Sequence, residues 1–304
     1  MWIICKPFAL LLTGSLALLL AGCIDQIDAD LPEPPKKLVV NSILTPDSVV
    51  RVQVSRVTSP LDSSARVLTG AKVYLLVPGQ VAVPLSSQGK GLYSLPTAPT
   101  SQTAYTLQAE LDGYPPVQAS DTIPARVPID EAWYSFPTGT DRNNELLGTI
   151  VVRFTDPAAQ TNFYELSCYQ ENQGVLLDVR GNAAVTAEDD KEYEPQSLVF
   201  SDRLFNGQAF ELRASFLTHG HSGGGSSPPT TRDPLLVLRT VSRAYYQYRK
   251  SWTRHLYNQG TKGDTYNLNQ LLFLGDPSTM YSNVAGGYGV VVGYSQQTMR
   301  LLPR

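Results

Sequence analysis

Leu38-Val39-Val40-Asn41-Ser42-Ile43-Leu44-Thr45-Pro46-Asp47-Ser48-Val49-Val50-Arg51-Val52-Gln53-Val54-Ser55 carries the pattern that decides the fold. An apolar run from Leu38 to Ile43 stops at the Thr45-Pro46-Asp47 turn. Beyond it Val50, Val52 and Val54 alternate with Arg51, Gln53 and Ser55, the period of two that puts one face of a strand inside and the other in water.

The same pattern repeats toward the C-terminus. Ala71-Lys72-Val73-Tyr74-Leu75-Leu76-Val77 ends at Pro78-Gly79. Gly91 to Leu95, Tyr105 to Leu111 (closed by Asp112-Gly113) and Val117 to Asp121 follow. Short strands at this spacing, with Gly and Pro between them and no helical period, predict an antiparallel sandwich. Residues 37–128 are therefore expected to form an immunoglobulin-like β-sandwich, with Pro124 to Pro128 as its boundary.

Residues 129–304 read as a larger antiparallel β domain with one amphipathic α-helix. Its strands are expected at Ala132–Phe136, Ile150–Phe154, Phe163–Tyr169, Ser197–Phe200 and Ala209–Phe216. Leu238, Val241, Tyr245, Tyr248, Trp252 and Leu256 recur at spacings of three and four, which predicts a helix near 237–257. Arg239, Arg243, Arg249, Lys250 and Arg254 share that span with no acidic residue. Such a helix either docks on a sheet with a solvated basic face or meets a partner or an anionic surface. Asp264 to Leu274 and a Gly-rich final strand pair around Gly286–Tyr294 complete the chain. Gly220 to Arg232 and Glu188 to Glu192 read as loops.

N-terminal to the first strand the character changes. Residues 23–36 hold Asp25, Asp28 and Asp30 with Pro32, Pro34 and Pro35, an acidic tether stiffened toward polyproline geometry. Residues 1–22 hold Lys6 and an apolar run from Phe8 to Leu20, the n- and h-regions of a secretory signal. That run is short of the roughly 20 apolar residues a membrane span needs. It ends in Leu20-Ala21-Gly22-Cys23, which resembles the lipobox of bacterial lipoproteins. Cys23 is the expected lipidation site, and a lipid there would anchor the chain to a membrane.

Of the three cysteines, Cys5 then leaves with the signal and Cys23 carries lipid, so Cys168 stands alone and no disulfide framework is expected. The formal net charge of −3 argues against nucleic acid as a partner. Charged residues make up 17%, below the usual quarter, and Tyr outnumbers Phe sixteen to nine, as suits an extracytoplasmic β-protein.

No catalytic constellation emerges. His219 and His221 could offer two imidazoles to one metal, but no third ligand is near in sequence, so no metal site is assigned. His255 falls on the helix as a surface or interface residue. No Gly-x-Ser-x-Gly elbow occurs. Cys168 lies in an alternating strand, where core packing is its expected role. Asp189 and Asp190 lack the spacing of a calcium loop. Gly286-Gly287-Tyr288-Gly289 opens a strand and has no Lys, unlike a phosphate loop. No cofactor is expected.

Four stretches carry a resemblance: the lipobox with Leu38-Val39-Val40-Asn41-Ser42-Ile43; Thr69 to Leu75 with Gly91-Leu92-Tyr93; Phe200-Ser201-Asp202-Arg203-Leu204-Phe205-Asn206-Gly207; and Leu238 through Ser251 to Tyr281–Val290. Together they resemble the Bacteroidota lipoproteins known as domain of unknown function 4249. The resemblance implies an outer-membrane setting, on the cell surface or the periplasmic face. The acidic residues behind Cys23 are similar to the signal that sends such lipoproteins to the surface. It also implies a TonB-dependent β-barrel receptor as partner, and an accessory role in nutrient uptake with a peptide or glycan as candidate ligand. The family has no catalytic motif to carry over, and a non-enzymatic role is favoured. The alternatives are an extracytoplasmic hydrolase acting on peptide or glycan, and a structural or adhesive surface spacer.

Overall fold

The period-two pattern becomes a pleat. Val50, Val52 and Val54 are buried while Arg51 is exposed, and in Leu38–Leu44 the buried residues are Leu38, Val40, Ser42 and Leu44. The computed structural model describes residues 33–59, 67–141, 144, 146–170, 173–175, 177–179, 182–186, 197–217, 233–258 and 278–304. Cys23, residues 24–32 of the tether, His219, His221, Asp189, Asp190 and the segments 220–232 and 264–274 lie outside them.

In the first half the strands are β1 (Leu38–Leu44), β2 (Val50–Arg56), β3 (Lys72–Leu76), β4 (Val83–Pro84), β5 (Ser86–Gly89), β6 (Leu92–Leu95), β7 (Ala104–Glu110) and β8 (Val117–Thr122). The second half holds β9 (Ile129–Thr140), β10 (Leu146–Thr155), β11 (Phe163–Gln170), β12 (Gln173–Gly174), β13 (Leu177–Asp178), the short helix α1 (Ala183–Thr186), β14 (Ser197–Ser201), β15 (Ala209–Leu217), β16 (Leu235–Val241), α2 (Arg243–Asn258) and β17 (Tyr288–Arg300). The chain is mainly β, as its patterning predicts.

Antiparallel pairs β1–β2, β2–β6 and β5–β6 form one layer of the first half, and β4-β3-β7-β8 the other. Between them lie Val40, Val52, Val54, Val73, Leu75, Leu107 and Ala109, with Tyr93 taking a hydrogen bond from the Ala71 N–H at 2.9 Å. A second core fills the space between β13-β15-β10-β9 and the β11–β14–β16 strands. There Phe154 meets Tyr164 and Phe205 at 4.9 and 5.9 Å between ring centres. Ile123 belongs to the first core and Val127 to the second, so the cores part close to Pro124.

β17 links the two halves. Its residues 288–293 run parallel to β1, in the register Val39↔Tyr288 to Leu44↔Gly293. Its residues 294–300 run antiparallel to β16, from Val241↔Tyr294 to Leu235↔Arg300. The expected final strand pair is therefore one 13-residue strand, and the sheet continues through it across both halves. Asn41 Oδ1 takes the Val290 N–H at 3.1 Å and Asn283 Oδ1 the Val291 N–H at 3.0 Å, which holds the start of β17 from both sides.

The helix also starts later than its periodicity predicts. Leu238 and Val241 share helical spacing with Tyr245, yet Leu235–Val241 is the strand β16, hydrogen-bonded between β11 and β17. A short apolar run with both neighbours in a sheet is buried on both faces, so it shows no alternation to separate it from a helix.

Candidate functional site

Three pieces of chain meet at the N-terminal end of α2, and a buried or half-buried polar group holds each in place. Asp121 ends β8. Its Oδ2 accepts the Ser242 hydroxyl in a short hydrogen bond and the Gly293 N–H at 2.7 Å. Ser242 Oγ also accepts the Tyr245 N–H at 3.0 Å, so this serine caps α2. One carboxylate thus ties β8, β17 and the helix start together. Burial pushes Asp121 up from the ordinary 3.8 to about 6, outweighing the bonds from Ser242, Gly293 and Thr122.

A folded-state pKa above the ordinary value means that the ionised form opposes folding. Stability is full below the unfolded pKa of 3.8 and is lost as pH rises through about 6. Asp121→Asn keeps an acceptor oxygen for Ser242 and Gly293 and removes the charge. It should stabilise the protein by about 3 kcal/mol at pH 7.5, at about 1.4 kcal/mol per pKa unit, and lose most of that gain at pH 4. Thermal unfolding at the two pH values reads the effect, and parallel pH profiles for both proteins would refute it.

The second wall is the turn between β10 and β11. Asp156, Asn162 and Asp202 are all buried. Asp156 Oδ1 accepts the Tyr164 hydroxyl in a short hydrogen bond, and its Oδ2 accepts the Gly207 N–H at 2.8 Å. Asn162 Nδ2 reaches Asp156 Oδ1 at 3.2 Å and Pro157 O at 2.9 Å, while its N–H donates to Asp202 Oδ2 at 2.7 Å. Burial raises the Tyr164 pKa, and the bond to Asp156 and the charges of Asp156 and Asp202 raise it further. This knot locks the loops 156–162 and 202–208 together and so fixes where Gln160 and Phe163 stand.

The third wall is the first turn of α2. Tyr246 packs its ring on Phe163 at 4.7 Å between centres. Between the walls lies a groove of about 650 Å³ lined by Asp121, Gln160, Phe163, Arg243, Tyr246 and Gln247, among others. The lining offers one carboxylate, one guanidinium, amide side chains and two aromatic rings.

Beneath the helix sits a buried ion cluster. Glu165 on β11 is 1% exposed; its Oε2 receives Arg239 Nη1 at 2.6 Å and the Tyr245 hydroxyl at 2.7 Å. Arg249 Nε lies 3.0 Å from Oε1, an ion pair off-line for a hydrogen bond. Burial alone would push Glu165 up, but the Arg249 and Arg239 charges with the Tyr245 bond bring it below the usual carboxylate range. The basic span thus divides. Arg239 and Arg249 turn inward to Glu165, whereas Arg243 and Arg254 are exposed.

A second cavity, of about 600 Å³, is lined by Asp130, Glu131, Arg153, Phe210 and Glu211 on the outer β9–β10–β15 surface. Its charges already serve one another: Arg153 pairs with Glu131 at 2.8 Å and Glu211 at 2.6 Å. Arg153 and Arg304 also lie 5.0 and 4.4 Å from the Trp133 ring centre.

Of the residues singled out in sequence, Cys168 is a free thiol in the second core, where burial pushes it up to about 12. His255 Nδ1 lies 3.2 Å from the Ser278 carbonyl oxygen. Among the described residues, no three His, Cys, Asp or Glu side chains gather as a metal site. Also among them, no helix is long and apolar enough to cross a membrane. The groove residues carried no motif. Ser242 is the one with a local signal, a serine three residues before the helical Tyr245.

Residues 24–300 match the family described as Domain of unknown function (DUF4249). No curated protein matches the chain. Among solved structures, the chain is similar to a Salmonella alpha-2-macroglobulin variant at 14% identity and a TM-score of 0.23, over 70% of this chain and 14% of that one. The chain spans about a seventh of that protein's length, and the likeness supports no argument about function.

Proposed function

The chain belongs to the family described as Domain of unknown function (DUF4249), and from that premise we propose a lipid-anchored accessory binding protein of the outer membrane. Cys23 carries the lipid, the acidic, Pro-rich tether of residues 23–36 sets the reach, and the folded part presents ligand to a TonB-dependent β-barrel receptor during nutrient uptake.

The observation that supports a binding role is the groove at the start of α2. Its walls are fixed before any ligand arrives, by the Asp156–Asn162–Asp202 knot on one side and the Asp121–Ser242 tie on the other. Preorganised walls lower the ordering cost of binding. Hydrolysis of a glycan by paired carboxylates needs a second acid facing the first, and Asp121 is the one carboxylate in this lining.

Two measurements test the reading. The protein purified from native outer membranes in mild detergent should bring a β-barrel receptor with it. Cys23→Ser should leave the thermal midpoint unchanged and shift the protein from the membrane to the soluble fraction. Failure to recover any receptor would count against the companion role, and membrane retention of the variant after a high-salt wash would end the lipoprotein reading.

A further inference from the structure

We propose that the groove seats a primary ammonium group of its ligand, with the Asp121 carboxylate as counter-charge. This rests on the reading of the groove as a ligand surface and adds the chemistry of what it holds.

The partners of Asp121 are all neutral: the Ser242 hydroxyl and the N–H groups of Gly293 and Thr122. Among the described residues, no Lys, Arg or His forms an ion pair with it. It contrasts with Glu165, which holds two guanidinium groups, and with Glu131, which pairs with Arg153 and Arg304. A half-buried carboxylate without a cation is costly, because burial takes away water and nothing charged replaces it. Neutral serine or asparagine could make the same tie between β8, β17 and α2. The charge therefore has no structural task that the hydrogen bonds leave undone, and uncompensated charges in grooves recur at functional sites.

A cation in the groove would supply the missing partner. An ammonium group fits best, since it presents a compact charge with several donors. Phe163 and Tyr246 add aromatic surface beside it, and aromatic rings attract alkylammonium groups. The other charged and titratable groups nearby are Arg243, exposed on the same lining; the Tyr246 hydroxyl; Lys250, whose Nζ lies 5.4 Å from the Tyr246 ring centre; and the Tyr281 hydroxyl, whose proton is held by its own burial and by the Asp121 charge. Arg243 stands ready for a carboxylate or carbonyl of the same ligand, and Gln160 and Gln247 offer amide donors and acceptors. A peptide-like zwitterion uses all of these at once.

Isothermal titration of the purified full-length protein at pH 7.5 with trialanine, Nα-acetyl-trialanine and Nα-acetyl-lysine amide tests this. Trialanine or the lysine amide should bind, and the one that does shows whether a terminal or a side-chain ammonium is preferred. The acetylated tripeptide should bind at least about tenfold more weakly than trialanine, the scale of a charge-assisted hydrogen bond. Asp121→Asn should lose a similar factor while remaining folded by circular dichroism. Binding to the unaltered protein should weaken as pH falls from 7.5 to 5 and Asp121 takes up a proton.

Measurable binding of both tripeptides with equal affinity overturns the proposal, as does unchanged affinity of the binding probe in Asp121→Asn or no binding of any probe at millimolar concentration. Receptor recovery without amine binding would leave the accessory role standing and remove the ammonium site. Amine binding without receptor recovery would do the reverse.

Discussion

Glu165→Ala should cost the folded state about 3 kcal/mol or more, the expected penalty for stranding buried charges. Among the described residues, this carboxylate is the only acid in a cluster with Arg239, Arg249 and Tyr245, at 2.6, 3.0 and 2.7 Å. Without it two guanidinium groups remain beneath α2, with no counter-charge among the described residues. Their side chains are 22% and 21% exposed, so water recovers part of the loss, which places the expectation at the low end of the usual range.

Chemical denaturation at pH 7 measures the loss. A change below about 1 kcal/mol would mean that the cluster acts as a surface ion pair does. Adding Arg249→Met to Glu165→Ala should restore part of the stability, because one stranded charge leaves with it. The pH dependence follows from the depressed Glu165 pKa. Its contribution is complete above the ordinary carboxylate value of 4.5 and disappears as pH falls through the lower folded-state value. Acid should therefore loosen the helix from the sheet only below pH 4.5.

Gly289→Ala should be comparably damaging, for reasons of space. Gly289 has φ +111° and pairs with Val40 where β17 enters the first sheet. A Cβ there would lie 2.1 Å from the Val40 carbonyl oxygen, so strand backbone would have to move. Positive φ in a residue other than Gly costs about 1–2 kcal/mol, and forcing atoms into a packed site adds about 1–3 kcal/mol.

A control separates the two terms. Gly79 has φ +77° with nothing within 4 Å of an added Cβ, so Gly79→Ala should show the conformational cost alone. Denaturation midpoints that move equally for both variants would show that the parallel β1–β17 contact tolerates separation. A far larger loss at Gly289 would show that closing this contact holds the two halves as one unit.

The groove was less legible in sequence than the fold, and particular residues show why. Asp121 reads as the polar end of a strand, Asn162 as a residue in a loop, and Ser242 as a gap in an apolar pattern. Each gains its role from a partner far away in the chain: Asp121 from Ser242 and Gly293, Asn162 from Asp202. Local spacing cannot report such pairs, because no periodicity links residue 121 to residue 293. The basic span near the helix misled for the same reason. Arg239 and Arg249 look like solvated charges until Glu165 is brought beneath them.

The alternating valines of Val50–Arg56 and the repeated short strands determine, by themselves, that the chain is mainly β. Side-chain direction along a strand is a local property with a period of two, and burial follows it. The character of Cys168 as a buried core residue is likewise local. Only the tertiary structure decided that Leu235–Val241 is a strand and that Tyr288–Arg300 is one long strand serving both halves. An apolar run is compatible with helix or sheet until its neighbours supply hydrogen-bond partners, and those neighbours are β11, β16 and β1, distant in sequence. The same long-range pairings carry Ser242 and Gly293 to Asp121, and so place the groove where neither half alone could form it.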